Sequence, residues 1–300
     1  MTTLQIQRAK SQTHEHLLSI VHTEALSAET GRTIKILDAG CGDGHLMAYL
    51  AVNLPKLNSS LTYDIYGFDV NDHGVQNQGY FDVSVQFLNQ QLPDVPWKNK
   101  LALIRSTDPW PYPDQQFDVI LSNQVLEHVK NHTLFFSEIY RTLRTGGFSV
   151  HLFPLAHHIV ESHLLLPFVH WIKDFNLLRA TIKGMSWAGL GKYPAFKRDL
   201  QTPLDDFSER HADFIYFYTN YLRAGDVLNL AKKYHLRGSF KYTQEYYWRK
   251  LGAILKFTPQ FTYKPSRSAF ADWLAFSIFK YVASVTLFLE KKETYTSQSH

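Results

Sequence analysis

The chain has one cysteine in 300 residues, which excludes an internal disulfide. Its first ten residues, Met1 to Lys10, are polar and mixed, and lack the apolar centre of a signal peptide. Nor is there an unbroken apolar run of about 20 residues, the length a membrane-spanning helix needs. The nearest approach, Trp273 to Leu289, is interrupted by Lys280 and is more simply a helix followed by a buried strand. No nucleic-acid recognition motif is present and the basic residues are scattered, which argues against a nucleic-acid partner. A cytoplasmic location is the expectation, with peripheral contact at a membrane left open by the basic and aromatic second half.

What is present is enough apolar residue, 45% of the chain, for one large α/β domain with an insertion, or for two domains. The net charge of +4 conceals an asymmetry. Residues 1–150 hold 11 Lys and Arg against 15 Asp and Glu, a net of −4, while residues 151–300 hold 20 against 12, a net of +8. A basic half facing a substrate would suit an acidic one, such as a nucleotide sugar, a phosphorylated glycan or a lipid headgroup. The alternative is a basic surface with no selective role.

The stretch Ile36-Leu37-Asp38-Ala39-Gly40-Cys41-Gly42-Asp43-Gly44 has the pattern of a buried strand, a glycine-rich turn and then a helix from His45. Glycines at every second position let the backbone turn tightly and approach a ligand more closely than side chains would allow. Dinucleotide-binding turns favour gaps of one and then two residues, whereas both gaps here are one. Asp38 ends the strand, where it would repel a phosphate and suit a cation. Cys41, inside the turn, is a small space-filler rather than a nucleophile.

Further along, a second strand, Asp64 to Phe68, ends in Asp69, placed to take the two hydroxyls of a ribose. A third, Leu101 to Arg105, is followed by Asp108. A turn-rich loop, Asp108 to Gln116, feeds a fourth strand, after which comes Asn123-Gln124-Val125-Leu126-Glu127-His128-Val129. An amphipathic helix over Thr133 to Leu143, a Gly146-Gly147 stop and a fifth strand through Phe153 complete the series.

Over residues 34–153 these segments resemble the class I S-adenosylmethionine-dependent methyltransferases. The likeness rests on the acidic-x-Gly-x-Gly-x-Gly turn from Asp38 to Gly44, the acidic end of strand two at Asp69, and the Thr107-Asp108 pair. It rests too on the run from Trp110 to Ile120 and on the "LEHV" and "RTLRTGG" segments, where Thr145 stands in place of the usual proline. The resemblance implies S-adenosyl-L-methionine as cofactor. Asp38 would help hold the methionine end, with Gly40, Gly42 and Gly44 closing around it. Asp69 would bind the ribose and Asp108 the adenine amino group, with Trp110 beside the ring as a stacking face or as a solvent-shielding aromatic. Asn123, at the end of strand four, joins this set.

The fold implied is α/β, a seven-stranded, mostly parallel Rossmann-like methyltransferase sheet whose last strand is antiparallel, with a helical cap insertion after strand five. Residues 1–153 and 226–292 would form the cofactor-binding core, 154–225 the acceptor-covering insertion and 293–300 a flexible tail. Residues 226–236 have helical apolar spacing, Gly238 to Trp248 alternates as a strand would, and Ala283 to Leu289 supplies the last strand. The aromatic run Phe214 to Tyr221 belongs to a cap helix as pocket lining, and Asp205-Asp206 are adjacent and so point apart.

Methyl transfer needs the acceptor atom in line with the carbon–sulfur bond, about 3 Å from the methyl carbon. A hydroxyl acceptor adds the need for a general base, for which histidine suits neutral pH. The candidates are His128 after strand four, and His158 and His163 among His157, His158, Glu161 and His163 beyond strand five. The spacing of that last group also invites a metal ion, against which stands a histidine-rich cap bonded within itself; no metal is assigned. O-methylation of a small, glycan-linked or lipid-linked acceptor is the expected reaction. Carbon or nitrogen methylation of a quinone or amine, and a cofactor-binding module without transfer activity, are the alternatives.

Overall fold

The central strands are largely buried because the sheet is covered on both faces, as at Phe117–Asn123 and Ser284–Lys291. The strands are β1 (Thr33–Ala39), β2 (Thr62–Val70), β3 (Leu101–Ile104), β4 (Phe117–Asn123), β5 (Leu143–Pro154), β6 (Leu236–Ser239) and β7 (Ser284–Lys291). The computed structural model describes residues 6–72, 79–264 and 267–292, so the tail assigned to 293–300 lies outside the described residues. The sheet order is β3-β2-β1-β4-β5-β7-β6. Strands β1 to β5 pair in parallel, and β7 runs antiparallel to both of its neighbours.

Successive residues of a strand face opposite sides, and the two core layers show it. Ile34 and Ile36 of β1 pack with Leu17, Leu18, Leu50 and Leu54, from helices α1 (Gln12–Ala25) and α2 (His45–Leu57). Leu37 and Ala39 pack the other way, against Phe136 and Ile139 of the helix His132–Thr142. That helix is α4, since α3 (Tyr80–Gln91) precedes it and closes over the glycine turn through Leu88. After β5 the chain makes a short ribbon, Val160–Glu161 with Leu166–Pro167, and then α5 (Phe175–Trp187), α6 (Tyr193–Leu200) and α7 (Leu204–Tyr218). These share a third apolar cluster of their own, built on Leu178, Ile182, Phe207 and Ala212. Helices α8 (Ala224–Lys233), α9 (Thr243–Ile254) and α10 (Ala269–Phe279) flank β6 and β7.

Two expectations from sequence need correction. The alternating run Gly238 to Trp248 is not one strand: β6 ends at Ser239, Tyr242 takes φ +70, and a helix starts at Thr243. Burial of Tyr242, Thr243 and Tyr246, three and four residues apart, selects the helix over the β preference of the aromatics. The Gly146-Gly147 pair is not a stop before β5, because β5 already begins at Leu143 opposite Phe117. The two glycines sit within its irregular first half, where a side chain on Gly147 would strike the Asp118 carbonyl.

Candidate functional site

The glycine turn is tied down by its own backbone. Gly40 and Cys41 both donate N–H bonds to the Phe68 carbonyl, at 2.9 and 3.0 Å, which fixes the end of β1 against β2. Gly40 has φ +81, and a Cβ there would lie 2.6 Å from Val125, so only glycine lets the turn and the loop after β4 meet. Gly42 has φ +51 with nothing within 4 Å of a built Cβ, so its open side faces the space where a ligand would lie. Its N–H donates to Asp69 Oδ2 at 2.7 Å, and Val70 N–H donates to Asp69 Oδ1 at 2.7 Å, which fixes the carboxylate at the edge of the turn. Gly44 caps α2 at φ +75, against Leu88.

A cavity of about 270 Å³ opens at this point, above the carboxyl ends of the parallel strands. Of the residues expected from sequence, Gly40, Gly42, Asp69, Asp108, Trp110, Asn123 and His128 line it. Asp38 and Gly44 stand behind the turn. Asp38 is fully buried, its Oδ2 has no hydrogen-bond partner, and burial together with Asp69 and Asp43 pushes its carboxyl well above the usual range. A buried carboxyl oxygen without a donor, beside an open backbone cradle, fits a cationic group. Asn123 Oδ1 is likewise buried without a donor on the cavity wall.

Trp110 is less available than its sequence position implies. Its ring packs between Phe68, 4.8 Å away, and Phe135, 5.2 Å away, and it is 5% exposed. Its N–H donates to Glu138 and its carbonyl accepts from Arg141, so the residue is a fixed wall of the cavity. Sequence reasoning missed Gln124, which lines the cavity at φ +57 and donates from its amide to the Leu152 carbonyl and the Ser284 hydroxyl. Its signal is the left-handed backbone of a non-glycine residue, which appears only in the structure. Lys130 and Phe135 on the same wall also carried no sequence mark.

Beyond the cavity lies a polar cluster where the turn Leu126–His128 meets the insertion. His128 Nδ1 donates to the Tyr218 carbonyl at 2.7 Å, and its ring stands 5.3 Å from that of His163. His163 Nδ1 bonds Glu161 Oε1 at 2.6 Å. Glu161 is buried, which opposes its charge, yet the bonds from His163, from the Tyr221 hydroxyl at 2.8 Å and from Leu164 N–H at 2.8 Å hold its carboxyl down at about 2. An anionic Glu161 can only accept, so His163 carries its proton on Nδ1 and its lone pair on Nε2 when neutral. Phe214 of α7 packs on both histidine rings, at 5.7 and 4.9 Å.

Glu127, next to His128, is fully buried, and neither of its carboxyl oxygens has a partner. Burial, with the nearby Glu161 charge, pushes its carboxyl up to about 8. His158 lies apart from His128 and His163. It is fully buried, bonds the Leu155 carbonyl through Nδ1 at 2.6 Å, and stacks on His170 with centroids 3.9 Å apart. Burial lowers both imidazoles, His170 to about 3 with help from His158. His157 faces the Ala224 N–H and the Tyr281 ring instead. Among the described residues no group of three His, Cys, Asp or Glu side chains converges to hold a metal ion.

Comparison with known proteins adds three findings. The family described as methyltransferase domain matches residues 10–217. No curated protein sequence matches. Among solved structures, PKMT2 from Rickettsia typhi is 12% identical with a TM-score of 0.50, over 95% of this chain and 54% of that one. YcgJ from Bacillus subtilis is 12% identical with a TM-score of 0.47, over 95% of this chain and 100% of that one. A phosphoethanolamine N-methyltransferase 2 from Haemonchus contortus, solved with S-adenosylhomocysteine, is 13% identical with a TM-score of 0.43, over 92% of this chain and 52% of that one.

Proposed function

The chain belongs to the methyltransferase-domain family, is an S-adenosyl-L-methionine-dependent methyltransferase, and we propose that it methylates an oxygen of its acceptor, with His163 as general base. The observation that carries this reading is the Glu161–His163 pair, a buried carboxylate orienting an imidazole one ring away from a cofactor-cavity histidine.

Bound in the cavity, S-adenosyl-L-methionine supplies a methyl group on a cationic sulfur, and its demethylated form leaves. Asp38 offers its donor-free oxygen to the cationic methionine end, and the backbone at Gly40 and Gly42 lets that end lie close. Asp69, already fixed by two N–H bonds, would present its carboxylate to the ribose, and Asp108, on the cavity wall, would take the adenine amino group. His128, at the boundary between the cavity and the insertion, orients the acceptor hydroxyl. When an acceptor hydroxyl is methylated, His163 Nε2 would take its proton and Glu161 would stabilise the imidazolium formed. Of the insertion's helices, α7 reaches the pair through Phe214, where it would shield the exchange from water. The buried Glu127, kept neutral, adds no second negative charge to oppose the one that Glu161 carries.

A screen with methyl-labelled cofactor against hydroxyl, amine and activated-carbon acceptors tests the reading. Transfer to a hydroxyl, lost in His163→Ala, is expected. Transfer to an amine or a carbon that survives His163→Ala would replace it with the base-free alternatives.

A further inference from the structure

Helices α9 and α10 carry an apolar face that nothing in the described fold covers. Trp248, Leu251, Ile254 and Leu255 recur at steps of three and four, so they share one side of α9. Phe270, Trp273, Leu274 and Ile278 do the same on α10. All eight are exposed, Ile254 by 76%, Phe270 by 69% and Trp273 by 60%. Tyr247 stacked on Phe279, centroids 3.9 Å apart, joins the two helices. Exposed Phe257, Tyr281 and Val282 carry the surface past their ends. Single exposed apolar residues are ordinary, whereas this many on adjoining helices mark an interaction surface.

Charge identifies the occupant. Residues 232–292 hold twelve Lys and Arg against three Asp and Glu. Two of the three acids, Glu245 and Asp272, are taken by Arg267, and Arg249 on the core side of α9 pairs with Glu15. Lys250, Lys256, Lys264 and Lys280 have no carboxylate partner among the described residues. Lys250 lies over the Tyr246 and Tyr247 rings and Lys280 over Phe276 and Tyr281, so cations rim the apolar face. A second copy of the chain, seated on this face by a two-fold axis, would bring like charges together. A bilayer with anionic headgroups would take the Trp and Phe rings into its interface and leave the lysines at the phosphates.

We propose that the α9–α10 face docks this protein on an anionic lipid bilayer. The face also adjoins the site. Past Tyr281 the chain reaches Ser284, whose hydroxyl accepts from Gln124 at the cavity wall at 3.0 Å. The Tyr281 carbonyl accepts from Ile159 N–H at 2.9 Å, beside His157 and His158. A lipid-tailed acceptor held at the bilayer would thus lie near the cavity wall; that step rests on the methyl-transfer reading above, whereas the docking does not.

The test is co-sedimentation of the full chain with vesicles of phosphatidylcholine alone and of phosphatidylcholine with one third phosphatidylglycerol. Pelleting with the anionic vesicles, relieved by high salt, is expected. Phe270→Glu/Trp273→Glu should abolish it, and Lys256→Glu/Lys264→Glu should weaken it about tenfold or more. The lysine variant alters only exposed positions, so it decides the matter even if the aromatic variant does not fold. Calorimetry with S-adenosylhomocysteine on the same proteins should be unchanged, since none of the four residues lines the cofactor cavity. Loss of that binding in the unaltered chain would overturn the methyl-transfer reading alone. Unaltered protein left in the supernatant, variants that pellet like it, or a dimer dissolved by the substitutions without vesicle binding would each overturn the docking.

Discussion

His163 and Glu161 are joined at 2.6 Å, Nδ1 to Oε1, and the carboxylate that orients the ring is itself fully enclosed. The pair comes from a two-residue ribbon and the turn that follows it; Phe214 of α7 packs on the imidazole, which keeps a part-exposed edge.

If this pair is the base, His163→Ala should lower kcat by about 10²-fold to 10⁴-fold on a hydroxyl acceptor, with little change in cofactor affinity. Glu161→Gln should retain part of that rate, because the ring stays and loses only its charged support. Rates across pH, with cofactor binding measured by calorimetry, separate the two variants. Equal rates in all three proteins would remove the base from the mechanism.

Glu127 should set a pH dependence of stability. Its folded carboxyl titrates at about 8, against 4.5 when the chain is unfolded. Between these values the folded state holds the extra proton, so stability falls as pH rises through the window, by on the order of 5 kcal/mol in all. The lowered imidazoles of His158 and His170 act oppositely and cost stability as pH drops below 6.5. Compared with the unaltered chain, Glu127→Gln should therefore show a thermal midpoint that falls less, or rises more, as pH goes from 5 to 8. An unchanged slope in that variant would place the effect elsewhere.

The two cavity glycines should differ. Gly40→Ala pushes a methyl group to 2.6 Å from Val125 while also straining the backbone, and should lower both the thermal midpoint and S-adenosylhomocysteine affinity. Gly42→Ala meets no atom and carries only the strain of its positive φ, about 1 kcal/mol, so the fold should tolerate it. Any larger loss of ligand affinity in Gly42→Ala measures how closely the cofactor approaches that position. Calorimetry and thermal melts on the pair check both statements.

Asp69→Ala should weaken S-adenosylhomocysteine by about tenfold to a hundredfold, the usual value of hydrogen bonds to a charged group. Asp38→Asn keeps the shape of its site and removes the charge, so it should weaken S-adenosylmethionine more than the uncharged-sulfur product. Identical losses for the two ligands would remove Asp38 from the neighbourhood of the sulfonium.

The order of β1 to β5, the glycine turn and Asp69 could be read from the sequence because each depends on neighbours within a few residues. Helix α1 could not. Its buried side carries Glu15, His16, Ser19 and His22, made tolerable by Arg249, Tyr263 and Thr286 more than 200 positions away. The same reason hid the encounter of Glu127 with Glu161, and the wall made by Gln124. Helix α9 was obscured differently, since Tyr246, Tyr247 and Trp248 have the composition of a strand, and the packing of Tyr246 and Tyr247 against the core and α10 selects the helix. His128 was marked by its motif, but its approach to His163 needed the insertion to fold back over it.

The placement of β7 between β5 and β6 has a consequence for biosynthesis. Ribosomes deliver Ser284–Lys291 after every other strand, so until then two rows of backbone donors and acceptors stay unmatched. Truncation of the chain before Ser284 would therefore leave an aggregation-prone polypeptide rather than a trimmed enzyme, and quality-control proteases would be the expected readers of that defect.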